Sequence, residues 1–313
     1  MKKIAIIGEC MIELSGEPFG EMVQSYGGDT LNTATYLSRT SSTEQIEVNY
    51  VTLLGKDKLS EGLIERFKED NINTELILQD ENRQPGIYMV KLDQFGERSF
   101  LYWRNLSSAR YLLQHQDYHK VIEKLATMDM IYISGISIAI LPQQDRFRFI
   151  NDLKLLSNKG VEIAFDSNYR PSLWESVEET RQVYTALFPL IDLALVTFDD
   201  EQALWQDEDS QASVRRLKSF GIKTVVVKRG KVGAFFSDAK NRECTVNTAP
   251  VSKVVDTTSA GDSFNAGFLN GYLKNKSLEV CCQQGNQLAG VVIQYKGAII
   301  EKAATEHFIN SFK

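Results

Sequence analysis

Two carboxylates, Asp256 and Asp262, flank a run of hydroxyl-bearing and small residues, Thr257-Thr258-Ser259-Ala260-Gly261. Beyond it Phe264, Phe268 and Tyr272 recur every four residues, which is the spacing of one face of a helix. The start of such a helix presents backbone N–H groups with no partner inside it, and the helix dipole adds partial positive charge there. With Gly261 free to take a positive φ, the amides of Ser259, Ala260 and Gly261 are expected to form an anion hole. A carboxylate at Asp262, the expected first helical position, would stay ionised beside the dipole and could accept the proton of an alcohol held next to a phosphate. Phosphoryl transfer asks mainly for positioning and charge stabilisation, so a base at this address suffices. Taken alone, the stretch reads equally as a helix that Ser259 or Asp262 simply caps.

A phosphate cradle of another kind is needed for a nucleotide, because the chain contains no GxxxxGK[ST] and no GxGxxG after its first strand. The string KRGKVG supplies Lys228, Gly230 and Gly233 in a cationic, glycine-bearing turn between two strands. A plain β-hairpin has the same signature. Arg104 and Arg170 could grip a carboxylate with paired charge-assisted hydrogen bonds, or each could make a structural ion pair. His115 and His119 are four apart but have no third metal ligand in view, so a solvated pair is the expected reading. Asp166, at a strand end, is either a turn former or a residue facing a metal-bound water. The apolar run Leu288–Ile293 reads as core that could also wall one side of an adenine pocket.

The elements that must position these residues alternate. Strands are expected at Ile4–Ile7, Val48–Leu54, Met130–Ser134, Val161–Asp166, Leu193–Thr197, Thr224–Lys228 and Ala234–Ser237, with a strand-like Lys253–Val255 before the signature. Helical patterns cover 30–39, 59–70, 144–160 and 209–221, the last two stopped by glycine. This is an α/β chain with a doubly wound, mostly parallel sheet and helices on both faces. Ile87–Leu92 and Ser99–Trp103, separated by the turn-like DQFGER, have no helix between them and predict a hairpin. With extended sequence around 11–25, that hairpin, within 86–104, predicts a small β-sheet acting as lid, dimer contact or both, in a single domain spanning 1–313.

These residues resemble a known family. DTTSAGDSFNAGF is similar to the C-terminal signature of the ribokinase-like (PfkB) carbohydrate kinases, and GGDTLNTA at Gly27–Ala34 to their N-terminal sugar-binding segment. GECMIEL, GGDTLN, YWRN, NYRP and YKGAII, in that order, narrow the resemblance to the family's 2-keto-3-deoxygluconate kinases. The resemblance implies transfer of the ATP γ-phosphate, with Mg²⁺, to a terminal hydroxyl of that sugar acid, giving the 6-phosphate. Asp262 would be the base, with the amides of Ser259, Ala260 and Gly261 as anion hole. Gly27, Gly28, Asp29 and Asn32 would hold sugar hydroxyls, and Tyr88, Tyr102, Arg104 and Arg170 would reach the substrate. Asn168, Thr197, Lys228, Gly230 and Gly233 would line the nucleotide side. Two departures stand out: the signature usually has glycine at Ser259, and the family's metal-linked NxxE is replaced near Thr197 by Asp200 or Glu201 in an open register. The metal shell is therefore left unassigned. The alternatives are a neutral-sugar kinase for fructose or ribose, and a catalytically silent sugar or nucleotide sensor on the same scaffold.

Composition narrows the classes. The 313 residues have a formal net charge of −6 and no basic cluster, which argues against nucleic acid as a partner. No segment approaches the ~18 apolar residues of a membrane span, and the first apolar run is too short for a signal-peptide core. A cytoplasmic protein is expected, a homo-oligomer through the lid, with sugar acid and ATP as small-molecule partners. Cys10, Cys244, Cys281 and Cys282 form no CxxC pair and are expected to be reduced thiols.

Overall fold

The computed structural model describes residues 1–92 and 98–312. The larger of two sheets has nine strands: β1 (Lys2–Ile7), β4 (Ile46–Gly55), β5 (Ile77–Asp80), β8 (Met130–Ser134), β9 (Glu162–Asp166), β10 (Leu193–Thr197), β11 (Thr224–Lys228), β12 (Ala234–Ser237) and β13 (Glu243–Val246). Their order is β13-β12-β11-β10-β9-β8-β1-β4-β5, parallel except for the antiparallel β12 and β13 at one edge. The smaller sheet, in the order β3-β2-β6-β7, consists of β2 (Met11–Gly16), β3 (Met22–Gly27), β6 (Gly86–Leu92) and β7 (Arg98–Trp103).

Side-chain alternation explains why the central strands read as unbroken apolar runs. Ala5 and Ile7 of β1 enter the core on one face of the sheet, while Ile4 and Ile6 enter a second core on the other. Strand β10 divides the same way, Ala194 and Val196 against Leu193 and Leu195. A sheet buried on both faces selects apolar residues at every position. Helices cover both faces, among them Asp29–Arg39 and Ala260–Leu273, which pack on one another. Gly160 and Gly221 lie just past their helices with φ of +89° and +94°, the left-handed region where glycine ends a helix at no steric cost.

All seven expected main-sheet strands are present, and β6 pairs antiparallel with β7 as the hairpin expectation required. Most of the DQFGER connection lies outside the described residues. Strands β5 and β13, four residues each, were not anticipated. Lys253–Val255 is not a strand: the amides of Val255 and Asp256 both donate to Ile293 O, at 2.8 and 3.1 Å, which ties this segment to a helix end rather than to a sheet.

Strand order reverses at β1, which has β4 on one side and β8 on the other. In open parallel sheets a crevice forms at the carboxyl ends of the strands around such a point. Glu9, just past β1, and Ile136, just past β8, both line the cleft found there.

Candidate active site

The cleft has a volume of about 1010 Å³. Of the residues singled out from sequence, Gly28, Asp29, Asn32, Tyr88, Tyr102, Arg104, Asn168, Arg170, Thr197, Lys228, Gly230, Gly233 and Ser259 through Asp262 all line it. Gly27 does not. It is buried behind the wall, where an added Cβ would lie 3.1 Å from Tyr88 Oη and 3.2 Å from Ala298 Cβ, so its smallness serves packing.

The floor is the start of the Ala260–Leu273 helix. Its apolar stripe behaves as the spacing required, with Phe264, Phe268 and Tyr272 stacked at centroid distances of 6.3 and 5.9 Å. The backbone at the helix start corrects two expectations. Ser259, not Gly261, holds the left-handed conformation, with φ of +65°, and Gly261 is helical. Asp262 is consequently the third helical residue rather than the first. The capping alternative fails, because Ser259 makes no side-chain cap bond and its Oγ is buried without a partner. Of the three amides expected to form an anion hole, that of Ala260 already donates to Thr257 O at 3.2 Å. Ser263 donates back to Ser259 O at 2.9 Å, so the Gly261 and Asp262 amides ahead of it are the helix's open donors.

Asp262 is half-buried, and Asn32 Nδ2 donates to its Oδ2 at 2.8 Å. Thr33 Oγ1 donates to its backbone carbonyl at 3.2 Å, joining the two helices at the same turn. The helix start was expected to keep this carboxyl ionised, but burial works against the dipole. Desolvation, reinforced by the negative charge of Asp29, pushes it up to about 7, against the opposing pull of the Asn32 bond and the Lys228 charge. Burial likewise raises Asp29, which accepts from Asn168 Nδ2 at 2.7 Å. Asn168 is thereby tied to the residue expected to hold sugar, not to the nucleotide end; its φ of +30° turns the chain after β9 so that it can reach.

Both arginines face the cleft, and both already have acidic partners. Arg104 Nη2 and Ser107 Oγ donate to the buried Glu9 carboxylate, while Arg104 Nε is buried with no partner. Arg170 is half-exposed and sits 3.5 Å from Asp200. The small sheet contributes Tyr88, whose hydroxyl donates to Glu13 Oε2, and Tyr102, whose ring is 6.0 Å from that of Tyr88.

At the far end, Lys228 closes β11 and its ammonium bonds Asp166 Oδ2 at 3.0 Å. The segment between β11 and β12 is a hairpin, as its alternative reading held, and it also lines the cleft. Gly233 is required there: its φ is +96°, and a Cβ would fall 2.2 Å from Val246 O. The open acidic register resolves to Asp200, which lines the cleft, with burial as the main cause raising it to about 6. Glu201 is buried behind it on Arg216. Asp166 Oδ1 is buried and unpartnered. In the run 288–293, Leu288 and Val292 are core while Ala289, Gly290 and Ile293 line the cleft. His115 and His119 bond only to local backbone, and among the described residues no group of three His, Cys, Asp or Glu gathers to hold a metal. Sequence reading did not single out Glu9, Glu13 or Asn265: all three are buried, Glu9 in the cleft wall, Glu13 behind it on Tyr88 and Asn265 on Lys228.

A doubly wound sheet whose switch-point cleft joins a carboxyl raised towards neutrality, a helix start and a buried lysine suits a phosphotransferase acting on an alcohol. The chain belongs to the pfkB family of carbohydrate kinases, whose profile matches residues 1–305. It is 60% identical over 313 residues to a 2-dehydro-3-deoxygluconokinase of Haemophilus influenzae, covering 100% of each chain. It is 43% identical over 305 residues to the 2-dehydro-3-deoxygluconokinase of Escherichia coli K12, covering 97% of this chain and 98% of that one. Among solved structures, a putative ribokinase II from E. coli in complex with ATP and Mg²⁺ superposes with a TM-score of 0.83 at 21% identity, covering 99% of this chain and 100% of that one.

Proposed function

We propose that the protein is the kinase of 2-keto-3-deoxygluconate (2-dehydro-3-deoxygluconate), with Asp262 as its general base. The observation that carries this reading is the Asp262 carboxyl, raised to about 7 at the junction of the Asn32-bearing helix and an open helix start. A base with this pKa is matched to neutral pH. Asp262 takes the proton of the acceptor hydroxyl, the freed oxygen bonds to the γ-phosphorus of ATP, and the bond from that phosphorus to the bridging oxygen breaks to release ADP. The Gly261 and Asp262 amides and Lys228 stabilise the charge that spreads over the phosphoryl oxygens.

Asn32, Asp29 and the Gly28 backbone hold sugar hydroxyls, and Arg104 and Arg170 take the carboxylate. The partnerless Nε of Arg104 is the donor this assignment needs. Thr197, Gly230, Gly233 and Ile293 border the nucleotide. The bare Oδ1 of Asp166 and the Asp200 carboxylate suit Mg²⁺, which is commonly held by one or two carboxylates together with substrate phosphates. Bound with ATP, Mg²⁺ neutralises phosphate charge.

The small sheet presents Leu101 and Trp103 to solvent, and the turn after it Leu106, each more than half exposed, and this apolar surface supports the reading that the lid pairs two copies. Among the described residues no helix is long and apolar enough to cross a membrane, in keeping with a cytoplasmic enzyme.

ADP release measured against 2-keto-3-deoxygluconate, its galactonate epimer, fructose and ribose tests the substrate. Turnover confined to the sugar acids is expected, and equal rates on all four would defeat the carboxylate assignment.

A further inference from the structure

A closed triangle of buried hydrogen bonds lies beneath the helix start. Lys228 Nζ donates to Asp166 Oδ2 at 3.0 Å and to Asn265 Oδ1 at 3.1 Å. Asn265 Nδ2 donates to the same Asp166 oxygen at 2.7 Å and is also 2.9 Å from Tyr132 Oη. Asn265 is 0% exposed and Lys228 6%. Each corner comes from a different element: Asp166 ends β9, Lys228 ends β11, and Asn265 follows Asp262 by three residues in the helix, close to one face with it.

The chemistry of the triangle requires at its helical corner a group that donates and accepts at once, as the Asn265 amide does. That side chain must accept from an ammonium and donate to a carboxylate at once; an ionised carboxylate cannot donate, and an aliphatic chain does neither. An ammonium has three N–H donors, and two are spent inside the triangle. The remaining one belongs to a group that lines the cleft. That group lies close to the helix start: a Cβ built on Gly261 would fall 3.6 Å from Nζ. With Asp166 alone as anchor, the ammonium could swing about a single hydrogen bond. The second acceptor removes that freedom, and preorganised charge is what stabilises a transition state most effectively.

We propose that Asn265 is a positioning residue for phosphoryl transfer, holding the Lys228 ammonium against the Gly261 turn so that its third N–H meets the migrating phosphoryl group. This rests on the kinase reading above and adds to it a residue that touches neither substrate. Asn265 acts only through Lys228, and it therefore governs turnover and leaves binding of the sugar acid alone.

A double-mutant cycle on the full chain tests this. Wild type, Asn265→Leu, Lys228→Met and the double variant are compared for kcat and ATP KM at saturating sugar acid, with the sugar-acid Kd measured by calorimetry. Lys228→Met is expected to lower kcat by roughly 100- to 1,000-fold, a loss typical of removing one preorganised donor, and Asn265→Leu by at least roughly 10-fold but no more than Lys228→Met. The double variant should be no slower than Lys228→Met alone, with the sugar-acid Kd unchanged throughout. Losses that multiply in the double variant, or wild-type kcat in Asn265→Leu, would overturn the proposal. Thermal melts accompany the kinetics. Should Asn265→Leu not fold, Asn265→Ala, smaller and likewise without a hydrogen-bonding group, carries the same cycle with the same criteria. Wild-type protein that releases no ADP with any sugar of the panel overturns the kinase reading itself, whereas an active wild type with multiplicative losses overturns only the role of Asn265.

Discussion

The Asn32 carboxamide donates to the Asp262 carboxylate across 2.8 Å, joining the first helix of the chain to one that begins more than two hundred residues later. The side chain expected to meet the sugar is thus the same one that bonds the proposed base. Thr33 repeats the junction one residue on, through the Asp262 carbonyl at 3.2 Å.

Asp262→Asn should abolish turnover by orders of magnitude while preserving shape, because the amide can still accept from Asn32 but has no basicity. The same variant should be more stable than wild type at alkaline pH. A carboxyl raised from 3.8 to about 7 on folding carries stability that is fully present below about 4 and is lost as pH rises through 7. Melting curves should therefore coincide near pH 4 and separate by pH 8, and a gap that narrows with rising pH would contradict the assignment. In wild type, kcat/KM for the sugar should climb with pH around 7.

Ser259→Gly should retain activity and be neutral to slightly stabilising, within about 1 kcal/mol. A φ of +65° strains a serine but not a glycine, although glycine gives back part of the gain through unfolded-chain entropy. Ser259→Val should destabilise, since a β-branched residue tolerates that φ poorly. Chemical denaturation of the three proteins checks the order.

Arg104→Lys should raise KM for the sugar acid by about tenfold and leave any residual activity on fructose untouched. Lysine preserves the charge opposite Glu9 but loses the planar fork that grips a carboxylate. A parallel loss on both substrates, read from initial rates, would make Arg104 a structural residue only.

Gly28→Ala should weaken sugar binding and lower the melting temperature together. A Cβ at that position would lie 2.1 Å from Glu9 O, a backbone atom that cannot move aside without shifting the link between β1 and β2. Calorimetric titration alongside thermal melts provides both readouts.

The main sheet was legible because burial on both faces leaves strands such as Val225-Val226-Val227 apolar throughout, a local signal needing no partner. The edge strand β13 carries only partial burial and a polar sequence, so nothing local announced it. At the site, residue types exposed Asp262 and its glycine turn, but not the φ values: the strained residue proved to be Ser259, because helix geometry had already claimed Gly261. Two features depended on contacts that span the fold: the bond from Asn168, expected on the nucleotide side, to Asp29, expected to hold sugar, and the rise of the Asp262 carboxyl to about 7 through burial and the Asp29 charge. The triangle of Lys228, Asp166 and Asn265 joins three segments, none of which advertises the others.

Strand β3 stops at Gly27 and the helix bearing Asn32 starts at Asp29, so a single residue couples the small sheet to the partner of the base. On the proposed lid role, any tilt of the small sheet would reach the first turn of that helix through the torsions of Gly28 alone, so closure over the sugar acid and the aim of the proposed base would share one joint.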